Sequence, residues 1–261
     1  MKEIKSIAII GVGRVANHLA TTFYDAGLEI SAVYGRKPEL AQALAKKVEA
    51  RVISDVSKPI RADLILLVVS DDAIFGVGEQ LSKSNKGIVA HVSGAVPMSE
   101  LPADLRRGVF YPLQSFSIGK KIIWANVPFC IEAENKEDLN ALVDLAERIS
   151  DRVHVLSSEQ RKILHLAAIF ANNFANLMFE FSEELLDDAG IDLVIMHPLI
   201  LETANKILMQ RASESQTGPA SRGDIDTIRM HREILGEDNI YRTVYDLLTT
   251  EIYSRNHDEE L

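Results

Sequence analysis

Over its first 155 residues the chain alternates short runs of β-branched and aliphatic residues with stretches of helical periodicity, a pattern that predicts βαβ units on a mostly parallel sheet. The expected strands are Ile7 to Ile10, Ile30 to Tyr34, Leu64 to Val69, Ile88 to Val92, Val109 to Tyr111 and Phe129 to Glu132. Helices are expected around 14–26, 38–48, 72–84 and 136–149. After about Ser157 the strand runs end, and helical periodicity takes over at 158–189, 193–214, 225–235 and 239–254. Gly190 is placed to stop one of these helices and Asp192 to cap the next. The expected fold class is α/β, with a doubly wound, mostly parallel sheet over 1–155 followed by an all-α domain over 156–261.

The first strand run leads directly into Gly11-Val12-Gly13-Arg14-Val15-Ala16, and helical periodicity continues to Tyr24. A G-x-G-x-x-G/A string says little alone; the strand before it and the helix after it give it weight. Gly11 permits a tight turn, Gly13 lets the backbone approach a pyrophosphate, and Ala16 lets helix and strand pack closely. The helix N-terminus, with Arg14 and Val15 in its first turn, offers N–H groups and a dipole to the anion. These features predict a dinucleotide-binding Rossmann domain.

The end of the second strand selects the cofactor. An NAD site places Asp or Glu there to bind the ribose 2′-OH, whereas this chain reads Tyr34-Gly35-Arg36-Lys37. Two cations and no carboxylate predict NADP(H), with Arg36 on the 2′-phosphate and Lys37 in support. Ser70 and Ser93, at the carboxyl ends of later strands, are placed to line the same cleft. Equally, Asp71 or Asp72 is placed to cap the following helix, and Ser93-Gly94 to form a simple turn.

Between Ile163 and Phe181 the helix is apolar almost all round, which predicts burial. His165, Asn172 and Asn176 fall within roughly 40° of one another at about 100° per residue, forming a narrow polar stripe. His165 is the candidate general acid, because imidazole titrates near neutrality. Asn172, Asn173 and Asn176 are candidates to orient substrate or nicotinamide; the rival reading ties all these side chains to neighbouring backbone or a dimer contact. Further on, Thr217-Gly218-Pro219-Ala220-Ser221-Arg222-Gly223-Asp224 is a loop of turn formers in which Asp224 caps the next helix and Arg222 can present its guanidinium to a substrate carboxylate or phosphate.

Composition narrows the class. The 261 residues are 47% hydrophobic and 25% charged, with no apolar run of the length a membrane span needs. With 28 basic and 38 acidic residues the net charge is −10, which disfavours nucleic acid and anionic membranes as partners. Part of that charge sits in Asp258-Glu259-Glu260, expected to be a solvated tail. The lone Cys130 excludes an intrachain disulfide, no Cys/His metal spacing occurs, and nothing near Met1 reads as a secretory signal, so a cytoplasmic protein is expected. Ile195, Met196, Leu199, Ile200, Leu201 and Ile207 give the helical half more apolar surface than a small bundle hides, predicting a homodimer through it.

Taken together, the turn at 11–16, DLILLVVSDDAI, HVSGAV, FYPLQSF, HLAAIFANNF and above all TGPASRGD resemble the Rossmann-like NADP oxidoreductases whose C-terminal half is a domain of unknown function. More distantly the layout is similar to pyrroline-5-carboxylate reductases and to 3-hydroxyacid and 6-phosphogluconate dehydrogenases, which pair a Rossmann domain with a helical domain and usually dimerise through the latter. The resemblance implies hydride transfer to or from a C=O or C=N group of a small molecule, in the cleft between the domains. Two departures stand out. Hydroxyacid dehydrogenases of this kind carry a catalytic Lys where this chain has Ile169, and relatives often read HPLQ where it has Tyr111-Pro112-Leu113-Gln114. The first motivates an alternative, an NADP(H)-binding sensor or scaffold without turnover.

Overall fold

The computed structural model describes residues 3–81, 85–116 and 122–257. The end of the helix expected over 72–84 and the acidic stretch Asp258-Glu259-Glu260 lie outside the described residues. Eight strands, β1 (Ser6–Ile10), β2 (Glu29–Tyr34), β3 (Arg51–Val52), β4 (Leu64–Leu67), β5 (Ile88–His91), β6 (Arg106–Pro112), β7 (Phe129–Ala133) and β8 (Val153–Val155), form one sheet. Their spatial order is β3-β2-β1-β4-β5-β6-β7-β8, and every neighbouring pair is parallel except β6 with β7. The order reverses between β1 and β4, the switch point at which open α/β sheets bind ligands beyond the strand carboxyl ends.

The sheet is buried on both faces, which is why its central strands read as unbroken apolar runs. Ile7 and Ile9 of β1 face a cluster with Leu19 and Phe23 of α1 (Arg14–Asp25), Leu44 of α2 (Pro38–Lys47) and Leu142 of α4 (Lys136–Glu147). Ala8 and Ile10 face the other way, onto Ile60, Leu101 and Ile74 of α3 (Ile74–Gln80). Helix α1 forms because Ala16, Leu19, Ala20 and Phe23, at helical spacing, all reach this core. At the opposite end of β1, the Asp63 carboxylate accepts from the Ser6 amide and hydroxyl, fixing the start of β1 beside β4.

The chain divides into two units, Met1–Phe170 and Ala171–Leu261. Helix α5 (Ser158–Ala168) opens with a capping box, in which Ser157 Oγ accepts from the Gln160 amide at 3.3 Å and Gln160 Oε1 accepts from the Ser157 amide at 3.0 Å. A π-helical segment, Ile169–Phe174, and α6 (Ala175–Asp188) follow without a break. In the second unit come α7 (His197–Met209), α8 (Ala212–Ser215), α9 (Pro219–Arg222), α10 (Ile225–Leu235) and α11 (Ile240–Asn256). Gly190 takes a positive φ just beyond α6, and Asp192 caps the short turn before α7.

The expected burial of the helix around 163–181 is not observed. Ile163, Leu166, Phe170, Phe174, Leu177 and Phe179 are all exposed, and so are Asn172, Asn173 and Asn176. Residues 169–174 take the π conformation, which closes i→i+5 hydrogen bonds. In this unit α11 packs on α9 and α10, His231 Nδ1 lies 2.9 Å from Tyr245 Oη, and Arg232 and Arg242 converge on Asp246. A largely apolar cavity of about 380 Å³ lies among Phe181, Leu185, Pro219, Leu235, Leu248 and Ile252.

Candidate active site

At the switch point, Gly11 has φ +133°, and a Cβ on it would lie 1.9 Å from the Val68 carbonyl oxygen. Only glycine fits. The Gly11 amide donates to Tyr34 O at 2.8 Å and the Val68 amide to Ile10 O at 2.7 Å, so β1, β2 and the end of β4 close on this residue. Gly13 is different: its φ of −71° is open to any residue, and a Cβ there would meet nothing within 4 Å. Its smallness therefore serves an open face at the N-terminus of α1, where no side chain caps the helix and no acid occupies the first turn. Asn17, which sequence reasoning did not single out, braces the turn by donating from Nδ2 to the carbonyls of Val12 and Gly13 at 3.2 and 3.1 Å. Ala16 is fully buried, and Arg14 Nη1 donates to Phe116 O at 3.4 Å.

Gly35 packs against Val12, where a Cβ would come within 2.6 Å of Val12 Cγ1, and this contact holds the segment just after β2 against the turn. The side chains of Arg36 and Lys37 are exposed and have no hydrogen-bond or ion-pair partner among the described residues. A turn with an open anion-binding face, two available cations and no carboxylate at the end of β2 fits NADP(H). Ser70 is exposed at the end of β4. Ser93 is buried after β5, where its Oγ accepts from the amides of Ala95 at 3.1 Å and Val96 at 3.0 Å and so shapes that turn.

Next along the sheet, residues 54 apart in sequence meet: Tyr111 Oη on β6 lies 3.1 Å from His165 Nδ1 on α5. Gly94 backs both rings. A Cβ on Gly94 would fall 2.6 Å from His165 Nδ1 and 2.7 Å from Tyr111 Cζ, so any other residue there displaces the pair. Burial, followed by the nearby Cys130 thiol, pushes the Tyr111 hydroxyl up to about 12 against the pull of the Arg161 cation, and the phenol keeps its proton at neutral pH. Burial likewise pushes Cys130 up to about 11, leaving an unreactive thiol. Fully buried His91, at the end of β5, is held down to about 4 by burial first and then by Arg161, with the Pro97 carbonyl opposing them. A neutral imidazole results, whose Nδ1 accepts from the Ser93 amide at 3.2 Å.

The remaining sequence candidates belong to the helical unit. Asn172 and Asn173 lie in the π segment, with Asn172 Nδ2 3.5 Å from Asn173 Oδ1. Arg222 is exposed at the end of α9, between Gly218 and Gly223, both at positive φ. Asp224 caps α10, accepting from the Thr227 amide at 3.1 Å, and the Thr227 bonds hold its carboxyl below the usual range. No group of three or more His, Cys, Asp and Glu side chains suited to a metal ion occurs among the described residues, and no described helix is long and apolar enough to cross a membrane.

Comparison with known proteins agrees with this geometry. Residues 6–94 match the family described as NADP oxidoreductase coenzyme F420-dependent, and residues 127–252 match the domain of unknown function DUF2520. None of the curated proteins matches the chain. Among solved structures, a pyrroline-5-carboxylate reductase from Coxiella burnetii shares 17% identity at a TM-score of 0.59, with 98% of each chain covered. An imine reductase from Myxococcus stipitatus in complex with NADP+ shares 14% identity at a TM-score of 0.65, covering 95% of this chain and 92% of the other. These two share the fold. A "putative NADP oxidoreductase" from Bacteroides fragilis shares 36% identity at a TM-score of 0.85, covering 97% of this chain and 98% of its own. With that identity over its whole length and both family matches in place, the chain belongs to the NADP oxidoreductases that join this N-terminal module to a DUF2520 domain.

Proposed function

We propose that the protein is an NADP(H)-dependent oxidoreductase that reduces, or in reverse forms, a C=N or C=O group of a small molecule, with the proton delivered by the Tyr111–His165 pair. The observation that carries this reading is the 3.1 Å contact between Tyr111 Oη and His165 Nδ1 against Gly94, beyond the carboxyl ends of the parallel strands. Residues 1–155 hold the cofactor and 156–261 serve substrate binding and dimerisation. Gly13, Arg14 and Val15 take the pyrophosphate in the turn that Gly11 and Ala16 shape, Arg36 and Lys37 take the 2′-phosphate, and Ser70 and Ser93 line the cleft. When bound, NADPH supplies the hydride. Tyr111 donates in a hydrogen bond to His165 Nδ1, which places the imidazole proton on Nε2; as that proton passes to the substrate nitrogen or oxygen, the Tyr111 proton moves to Nδ1, so the imidazole stays neutral and water then reprotonates the phenolate. Asn172 and Asn173 orient the substrate, and Arg222 pairs with a substrate carboxylate or phosphate. C=N substrates take first place, because two neighbours of the same fold are named for pyrroline-5-carboxylate and imine reduction.

In this reading the protein is a cytoplasmic homodimer, supported by exposed Ile195, Leu199, Leu201 and Ile207 on the helical unit. The test combines calorimetric titration with NADP+ and NAD+ and a panel of cyclic imines, ketones and hydroxyacids followed through NADPH absorbance. Expected are a clear preference for NADP+ that Arg36→Ala abolishes, and turnover that falls by about 100-fold in His165→Ala with cofactor affinity unchanged. Equal binding of the two nucleotides refutes the assignment of Arg36. NADP+ binding with no turnover anywhere in the panel favours the second reading, a cofactor-binding sensor or scaffold, which Ile169 at the position of the relatives' Lys supports.

A further inference from the structure

Arg161 stands one helical turn before His165, in a string, Ser158-Glu159-Gln160-Arg161-Lys162, whose composition is that of solvated surface. Its side chain is nonetheless only 1% exposed, and it is the largest of the fully buried side chains. A guanidinium is costly to bury and stays in a fold only with partners in fixed geometry. Here Nη1 donates to Glu132 Oε2 on β7, while Nη2 donates to the Val96 carbonyl at 2.6 Å and to Ser158 Oγ at 3.3 Å. Ser158 Oγ in turn donates to Glu132 at 2.8 Å, closing the network.

Each of these partners leads to the Tyr111–His165 pair. Val96 ends the turn in which Ser93 Oγ accepts two amides and Gly94 backs both rings. Glu132 sits on β7, whose Cys130 is directly opposite Tyr111 on β6. Arg161 itself shares a face of α5 with His165, four residues on. One planar fork therefore binds together the strand beside Tyr111, the turn beneath the pair and the helix that carries His165. Lysine has no such fork and cannot hold a carboxylate and a carbonyl at once in this geometry.

We propose that Arg161 is the positioning residue of the Tyr111–His165 pair: by bridging Glu132 to the Val96 carbonyl it fixes the turn and the helix so that the Tyr111 hydroxyl meets His165 Nδ1. The inference rests on the pair being the proton source, but its first readout does not need turnover. That readout is nuclear magnetic resonance of the full chain with isotope-labelled histidine, at a pH above the ordinary imidazole titration, with His165→Ala assigning the signals. Wild-type protein is expected to show a single tautomer at His165, with Nδ1 unprotonated. Arg161→Met combined with Glu132→Met replaces the ion pair with apolar side chains, a change that buried pairs tolerate, and Arg161→Lys keeps the charge without the fork. Both are expected to keep the wild-type circular dichroism and NADP+ affinity while the two His165 nitrogens move to averaged shifts.

With a substrate in hand, both variants are also expected to lose about tenfold or more in kcat with little change in the KM for NADPH. A folded variant of either kind that keeps the single tautomer overturns the proposal, as does a wild-type protein whose tautomers are already averaged. If the double variant does not fold, Arg161→Lys decides alone. A wild type with the fixed tautomer, lost in the variants, but with no substrate turned over upholds the positioning role and counts against the catalytic reading instead.

Discussion

Two glycines two positions apart in the phosphate turn, Gly11 and Gly13, are expected to fail in opposite ways when replaced by alanine, because the space around them differs. In Gly11→Ala the new Cβ meets the Val68 carbonyl oxygen at 1.9 Å at a φ of +133°. Backbone strain of this kind costs about 2 kcal/mol, and moving Val68 loosens its 2.7 Å bond to Ile10, worth about 1 kcal/mol more. A loss of about 3 kcal/mol lowers Tm by roughly 6–12 °C in a chain of this size. In Gly13→Ala the φ of −71° suits alanine and the Cβ enters open space, so only the weaker N-cap preference of alanine is felt, about 1 kcal/mol or less. Differential scanning calorimetry with and without NADP+ separates the two effects. At a ligand concentration of about 100 Kd, binding adds about 2.7 kcal/mol to the stability of the wild type, and a tenfold weaker Kd leaves only about 1.4 kcal/mol. Gly13→Ala is therefore expected to melt close to wild type when free of ligand but to lose at least half of the NADP+-induced shift. A Gly13→Ala protein with the full shift refutes the placing of the pyrophosphate against Gly13, and a Gly11→Ala protein with unchanged Tm refutes the packing of the turn.

Burial, and after it the Arg161 cation, hold His91 down to about 4 against its ordinary 6.5, so its contribution to stability is present above about pH 6.5 and is lost as the pH falls toward 4. Between pH 7 and 5 that loss is on the order of 2 kcal/mol in urea unfolding, and His91→Asn, whose amide oxygen can still accept from the Ser93 amide, is expected to lack this increment; identical pH slopes in the two proteins would contradict the buried neutral imidazole. Gly94→Ala inserts a Cβ 2.6 Å from His165 Nδ1 and 2.7 Å from Tyr111 Cζ, both in side chains able to move, so a stability cost of about 1–3 kcal/mol is expected together with loss of the single His165 tautomer. Retention of that tautomer in a folded Gly94→Ala protein would show that the pair does not depend on this backing.

The strands of the sheet centre were legible because a strand buried on both faces has no choice but to be apolar throughout, as at Ile7 to Ile10 and Leu64 to Leu67. The edge strands β3 and β8 were not, since Arg51-Val52 and Val153-His154-Val155 are short and largely exposed and carry no pattern of their own. The helix at 163–181 shows a different failure. Its hydropathy was read as burial, yet Ile163, Leu166, Phe170 and Phe174 are exposed on the single chain. Hydropathy records that a surface is unfavourable in water; it does not record whether the single chain covers it.

The candidate site divides along the same line. Its cofactor half is local: Gly11 to Ala16 and Tyr34 to Lys37 declare themselves because the backbone conformation and the choice of charge lie within a few consecutive residues. The chemical half is built by topology. Gly94, Tyr111 and His165 meet only because β5, β6 and α5 bring them together, and a glycine after a strand, a tyrosine in a strand and a histidine in an apolar helix each have a commoner structural explanation. Arg161 is the extreme case, since a charged residue in a charged stretch reads as solvated surface and only its 1% exposure and its bonds to Glu132 and Val96 separate it from Lys162 beside it. One physical signal in the sequence bears on this half of the site. The capping box at Ser157 and Gln160 fixes where α5 begins, and a fixed start sets which residues share a face, putting Arg161 and His165 on one side of the helix before any tertiary contact is known. What no local rule supplies is that this side faces the turn after β5, and on that placement the meeting of Tyr111 with His165 depends.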